Sequence, residues 1–181
     1  MSTTITEALA EIKTIGKRIE KKRQSVATYL ARDFRLKDPL EKDGGSVKFI
    51  VEERQGISDL ENRIVSIRTA IQKSNLATQT TVGNRTMTVA EWLTWRREVS
   101  SAAQGFLNSL NSGIRQIREK AQRDGGRVVS NATETEGKVA LEVIVNIDEK
   151  ALLEEQENME KTLGELDGRL SLLNATTVVD F

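Results

Sequence analysis

The sequence contains no cysteine and no histidine, and each absence excludes a class of chemistry. Without cysteine the chain has no disulfide, no thiolate zinc site, no iron–sulfur cluster and no thiol nucleophile. Without histidine it lacks the commonest general base and the commonest metal ligand. We therefore expect a protein that is not an enzyme, with no catalytic, cofactor-binding or metal-binding site.

Aromatic residues and proline are scarce, and neither sign of charge is in excess. Aromatics make up 4% of the 181 residues, and proline occurs once. The chain has 27 basic and 27 acidic side chains. Nucleic-acid binders normally carry a marked basic excess, so this balance argues against nucleic acid as a partner. No stretch approaches the roughly 18 apolar residues of a membrane helix, and the first residues do not resemble a signal peptide. We expect a soluble chain without a membrane partner, made in a cytoplasm.

Apolar residues recur at helical spacing in four long segments, the first two of which occupy the N-terminal half. The first runs from Ile5 to Leu30, behind a capping-box pattern of Thr4 and Glu7. The second follows a heptad pattern in steps of seven, three and four residues. Its members are Ile50, Ile57, Leu60, Ile64, Ile67 and Ile71.

The last two helical segments are also long. The third begins at a second capping-box pattern, Thr88 with Glu91, and the fourth follows Asp148. The apolar stripe of the third is Trp92, Trp95, Val99, Ala102, Phe106, Leu110, Ile114, Ile117 and Ala121. The stripe of the fourth is Leu152, Met159, Leu163, Leu166, Leu170 and Leu173. Helices of about 25–35 residues are far longer than the average globular helix and indicate coiled-coil-like packing.

Two further segments have the character of β-strands. Thr78–Val82 and Arg85–Met87 flank Gly83-Asn84, a two-residue loop that accepts positive φ and closes a hairpin. Arg127–Ser130 and Lys138–Ile147 flank a polar linker and predict a second hairpin. The predicted fold is mainly α: one elongated domain over 1–181, with four coiled-coil-like helices and β-hairpins near 78–88 and 127–147.

Charge is distributed unevenly between the first and last helical segments. The segment from Thr3 to Arg32 contains seven bases and three acids. The segment from Asp148 to Leu170 contains three bases and eight acids. Opposite charges flanking an apolar seam select helix partners. We therefore predict that the first and last helices lie side by side.

Two clusters are candidate interaction sites. The basic residues Lys17, Lys21, Lys22 and Arg23 suit phosphates or an acidic protein surface, or form a solvated face that pairs with the acidic last helix. The β-branched tail, with Val178, Val179 and Phe181, suits addition as a strand to a neighbour's sheet edge, or folding back onto the chain's own hairpins. Both pairs of alternatives stay open.

Trp92 and Trp95 precede Arg96 and Arg97, a mixture of aromatic and basic side chains found on single-strand nucleic-acid platforms. The two tryptophans are three residues apart on the apolar stripe of the third helix. Packing in the core is therefore the better interpretation of this pair.

Several short stretches carry a resemblance to a known family. They are Ile5-Thr6-Glu7-Ala8-Leu9, Asp38-Pro39 before the Ile64, Ile67 and Ile71 seam, Met87-Thr88-Val89-Ala90-Glu91 before Arg96-Arg97, and the tail Asn174-Ala175-Thr176-Thr177. Together they resemble the septicolysin-like family of small helical proteins from bacteria and phages, although Ala175 stands where that family is expected to have an aromatic residue. The resemblance implies a helical fold and a bacterial or phage origin, and the family's role is unknown.

These patterns support a hypothesis about role. Heptad seams and strands that need partners favour a non-enzymatic structural protein that self-assembles as a phage virion component, such as a head decoration or tail-associated subunit. Its partners would be copies of itself or other virion proteins. It would be made in the cytoplasm of a bacterial host, with the virion as its destination. The alternative is a chaperone-like or scaffolding coiled-coil module.

Overall fold

A computed structural model describes residues 2–130 and 142–181 of the chain. The described residues are mainly helical, and the predicted fold class is confirmed. The helices are α1 (Ile5–Thr28), α2 (Gly45–Ala77), α3 (Val89–Thr94), a π-helix (Trp95–Ser100), α4 (Ser101–Arg123) and α5 (Glu149–Thr176). Because α3, the π-helix and α4 follow one another without a break, the structure has four long helical segments, as the apolar spacing predicts.

Short strands pair in three places. Two of the pairings are antiparallel, and the third is parallel. The strands are β1 (Ser2–Thr4) with β6 (Val178–Asp180), β2 (Gln79–Val82) with β3 (Arg85–Thr88), and β4 (Arg127–Ser130) with β5 (Glu142–Val145).

The hairpin predicted near 78–88 is confirmed. Gly83 has a φ of +57°, a left-handed conformation that suits the two-residue loop between β2 and β3. The hydroxyls of Thr81 and Thr86 lie opposite each other, 2.8 Å apart across the pair. The chain then enters α3 at Thr88, where the predicted capping box with Glu91 is present.

The second predicted hairpin is wrong in its pairing. Both strands form, but β4 and β5 run parallel, with Val128 opposite Val143. A parallel pair needs a connection of about a dozen residues, and residues 131–141 separate β4 from β5 in the sequence, enough to permit this direction. The predicted polar linker, together with residues 138–141 of the predicted strand, lies outside the described residues.

The chain divides into two compact units. Unit 1 comprises Met1–Thr78 and Leu170–Phe181, and unit 2 comprises Gln79–Arg169. The prediction of a single elongated domain over 1–181 is not tested by this division and stays a prediction.

In unit 1, α1 and α2 pack antiparallel, and the β1–β6 pair joins their core. Glu11 pairs with Arg63 (3.0 Å) and Lys22 with Glu53 (2.8 Å), so positions later in α1 meet positions earlier in α2. The predicted seam of α2 packs against this core from Ile57 to Ile71. The buried core residues are Ile5, Ala8, Ile15, Ile19, Ile67, Ile71 and Val179.

The predicted charge partner of α1 is wrong for two of its basic residues. Lys22 pairs with Glu53 and Arg23 with Glu61 (3.0 Å), and both acids belong to α2 rather than to α5. The physical reason is apolar packing: the buried faces of α1 and α2 share one core, which makes the two helices antiparallel neighbours. Exposed pairs contribute only about 0–1 kcal/mol each, too little to override that packing.

Asp38 holds the start of α2. Its carboxylate accepts hydrogen bonds from the Ser46 hydroxyl (2.6 Å), the Ser46 backbone N–H (2.8 Å) and the Leu40 backbone N–H (2.9 Å). These bonds favour the ionised form, with those from Ser46 the strongest, and lower the pKa of Asp38 to about 2.

We expect an Asp38→Asn variant to be less stable than the wild type at neutral pH. The pKa of Asp38 is lower in the folded state, so its stabilising effect is present above pH ~4 and is lost as the pH falls towards 2. Urea midpoints of both proteins across this range should therefore converge at low pH. Asp43→Asn, in the same connection, serves as the control, and an Asp38→Asn deficit independent of pH would contradict the expectation.

The π-helix changes the phase of the third helical segment in unit 2. Trp92 and Ser100 are buried eight residues apart, whereas Ser100, Leu107, Ile114 and Ala121 are buried at intervals of seven. A π-helical turn accommodates one extra residue, so the core side chains before and after it stay on one face. Ile114 and Ala121 confirm the predicted stripe.

Four members of the predicted stripe, Val99, Ala102, Phe106 and Ile117, are exposed instead, so the prediction is wrong for them. Val99 keeps 52% and Phe106 keeps 63% of its surface accessible. The prediction assumed an uninterrupted α-helix, and the extra residue rotates these positions away from the core. Leu107 takes the place expected for Phe106 and packs with Ile114, Val145 and Leu152.

Candidate interaction surfaces

The basic cluster of α1 divides into paired and unpaired side chains. Lys22 and Arg23 are tied to α2 by the ion pairs described above. Lys17 and Lys21 are exposed one turn apart and form no ion pair with any other described residue. The structure therefore leaves part of the predicted cluster available at the surface of unit 1.

A groove lies beside these lysines, between α1 and α2. Its volume is about 330 Å³. Phe49 forms its aromatic wall and packs edge-on against Tyr29, with ring centroids 5.2 Å apart. The lining residues are Arg18, Lys21, Lys22, Ser25, Phe49 and Glu53. One acid among three bases suits the groove to an acidic group carried on an apolar stem.

The tail pairs within the chain, and neither predicted alternative holds as stated. β6 pairs with β1, so its partner is the N-terminal strand rather than a neighbour's sheet or one of the hairpins. Val179 lies opposite Thr3 and is buried in the core of unit 1, while Val178 points outward and is exposed.

Phe181 packs against the core of unit 1 and contacts Arg63 of α2. The Arg63 guanidinium lies over the Phe181 ring, 4.4 Å from its centroid, and its Nη1 donates to the Phe181 carbonyl oxygen (3.0 Å). The Nε of Arg63 donates to Glu11 (3.0 Å). This combination of a cation–π contact and hydrogen bonds fixes the end of β6 against α1 and α2.

The two tryptophans of unit 2 occupy different environments. Trp92 is fully buried, and its indole N–H donates to the Thr80 carbonyl oxygen (3.0 Å), so the packing interpretation is confirmed for this residue. Trp95 packs edge-on against it, with centroids 5.5 Å apart, and is half-buried. Trp95 and Met159 line a cleft of about 230 Å³ beneath the β2–β3 loop, a feature that the sequence analysis did not detect.

Exposed apolar side chains gather on one side of α4 and of the π-helix that precedes it. Val99, Ala102, Phe106 and Ile117 are accessible, and we call these four residues the α4 row. Gly113 lies among them, and a Cβ atom added there would meet nothing within 4 Å. The signal in the sequence was the alternative seven-residue repeat of Ser100, Leu107 and Ile114, which places Phe106 off the core.

A second exposed apolar group lies in the connection between α1 and α2. Leu30, Phe34 and Leu36 are all largely accessible, and Phe34 reaches 88%. We call these residues the tip. Arg35 lies over the Phe34 ring at 5.7 Å, which leaves most of that ring open to solvent.

Lowered carboxyl pKa values mark structural caps. Hydrogen bonds from Thr4 lower the pKa of Glu7, and those from Thr88 lower the pKa of Glu91, both within capping boxes. In residues 2–130 and 142–181, no group of three or more acidic side chains is arranged to hold a metal ion. No helix in the same residues combines the length and the apolar character of a membrane span.

Comparisons with known proteins bear on the fold alone. No protein-family model matches the sequence, and no curated protein does. The structure is similar to the crystal structure of a functionally unknown conserved protein from Corynebacterium diphtheriae, at 16% identity and a TM-score of 0.55. The similarity covers 99% of this chain and 100% of that one. The resemblance to the septicolysin-like family is not tested by these comparisons and stays a prediction.

Proposed function

We propose that the protein is a non-enzymatic structural protein that self-assembles. The observation that carries this proposal is the α4 row, in which Phe106 and Ile117 stand exposed on one helix face. Single exposed apolar residues are common, but several exposed on one helix face offer a surface for another protein. Covering the row with another protein surface would remove this apolar area from water.

The finer form of the proposal is a phage virion component, such as a head decoration or tail-associated subunit. It is supported by the resemblance of the sequence to a family found in bacteria and phages. A virion component would be present at a fixed copy number in purified particles, where mass spectrometry would detect it.

We expect the purified protein to form a defined oligomer that Phe106→Glu converts to monomer. A carboxylate at this position would have to be desolvated on association, while in the separate chain it stays in water. Light scattering across a concentration series measures the mass of each protein. Asn111→Glu places the same charge at another exposed position of α4 and should leave the mass unchanged. A wild-type monomer at every concentration would overturn the proposal.

A chaperone-like or scaffolding role is the second candidate, and the tip favours it. Leu30, Phe34 and Leu36 are exposed at the end of a long helical pair, where unfolded chains or partner proteins have free access. Binding of unfolded polypeptides that depends on Phe34 and persists in Phe106→Glu would favour this role over self-assembly.

A further inference from the structure

We propose that two copies of the chain pair through α4, antiparallel, about a two-fold axis that passes between Ser109 and Leu110. The inference rests on the proposed function and deepens it, because it names the surface, the partner and the register. The surface that covers the α4 row is α4 of a second copy of the chain.

The positions involved form one continuous face of α4. Ala102, Phe106, Gly113 and Ile117 fall within about 60° of one another around the helix, at 3.6 residues per turn. Ser109 lies beside them. All five are uncharged, and from Ala102 to Ile117 the face is about 22 Å long at ~1.5 Å per residue.

The face is complementary to itself in size. In an antiparallel two-fold pair, every contact joins residues equidistant from the axis, and each contact occurs twice. An axis between Ser109 and Leu110 places Phe106 opposite Gly113 and Ala102 opposite Ile117. A large side chain therefore meets a small one at each of these contacts, as close interdigitation requires.

The same axis accounts for a third pair. Val99 comes opposite Lys120, whose aliphatic stem can cover the valine while its ammonium group stays in water. The surface at Gly113 is open to an incoming side chain, since nothing lies within 4 Å of a Cβ built there. One register thus supplies a partner for all four members of the α4 row. The face is therefore complementary to a second copy of itself.

Exchanging the large and small residues tests the register directly. Gly113→Phe places two phenylalanines opposite each other, and Phe106→Gly places two glycines opposite each other, so each single variant should lose the dimer. The double variant Phe106→Gly/Gly113→Phe restores one phenylalanine opposite one glycine at both contacts. We expect it to regain dimer mass by light scattering, within about tenfold of the wild-type dissociation constant, ~1.4 kcal/mol.

The fold is controlled separately from association. Gly113 and Gly164 both have open space around an added Cβ, so Gly164→Phe on α5 carries the matched substitution away from the α4 row. Circular dichroism should show folded protein for both variants. Only Gly113→Phe should be monomeric.

The absence of cysteine from the chain allows a second test. Ser109→Cys places a thiol beside the axis and close to its copy in the partner, whereas Asn111→Cys places one on the opposite side of α4. Mild oxidation should produce a disulfide-linked dimer of Ser109→Cys and little of Asn111→Cys.

The outcomes separate this inference from the proposed function. An oligomer that Phe106→Glu dissociates, but that the double exchange does not restore and Ser109→Cys does not cross-link, would overturn the two-fold register and leave self-assembly standing. A wild-type chain that is monomeric at every concentration would overturn both.

Discussion

Val179→Asp is expected to destabilise unit 1 by at least ~3 kcal/mol, because it buries a carboxylate that has no partner. Val179 is 5% exposed and packs with Ile5, Ile67 and Ile71. A loss of this size is a large fraction of the ~5–15 kcal/mol that stabilises a typical domain. Urea unfolding followed by circular dichroism measures it.

Val178→Asp is the matched control. It introduces the same charge into the same strand, one residue away, but Val178 is 53% exposed and its side chain lies on the other face. Its free energy of unfolding should change by about 0.5 kcal/mol or less, as is usual at exposed sites. Equal losses in the two variants would contradict the burial of β6 against α1 and α2.

Deleting Arg97 from the π-helix is expected to leave the fold of unit 2 intact. The deletion brings Trp92 and Ser100 to seven residues apart, the spacing that a regular α-helix needs to keep both on one face. Arg97 is exposed and pairs only with the adjacent Glu98 among the described residues. Thermal unfolding should shift by only a few degrees.

The same deletion in a regular part of the helix should be severe. Removing Asn111 from α4 leaves Leu107 and Ile114 six residues apart and turns one of them about 100° away from the core. Each core side chain that becomes exposed loses about 1.5–3 kcal/mol, and several do so together. If deleting Arg97 proved as damaging as deleting Asn111, the π-helix would not act as a single-residue insertion.

The elements predicted correctly from the sequence depend on interactions within a few residues. Both capping boxes form because Thr and Glu three residues apart satisfy each other's backbone N–H groups, as Thr4 and Glu7 do. The β2–β3 hairpin forms because Gly83 accepts the left-handed conformation that a two-residue loop requires. Such signals lie within a short window of sequence.

The predictions that failed concern partners distant in sequence. The charges of Lys22 and Arg23 pair with α2 rather than α5, because the apolar faces of α1 and α2 share one core. The strands β4 and β5 form where their β-branched residues predict. They run parallel, however, and each paired residue lies 15 positions from its partner in the sequence. The spacing of residues in the sequence indicates neither the partner helix of α1 nor the relative direction of β4 and β5.

Sequence alone determined that this chain is mainly α, with long amphipathic helices, capped starts and one tight hairpin, since these follow from side-chain spacing and local hydrogen bonds. Only the tertiary structure decided which faces of those helices are covered. The π-helix at Trp95–Ser100 is the clearest case, because one extra residue in the turn moves Phe106 from the predicted core to the surface. That displacement depends on packing against Val145 and Leu152, far away in the sequence, and it creates the surface on which the proposed self-assembly rests.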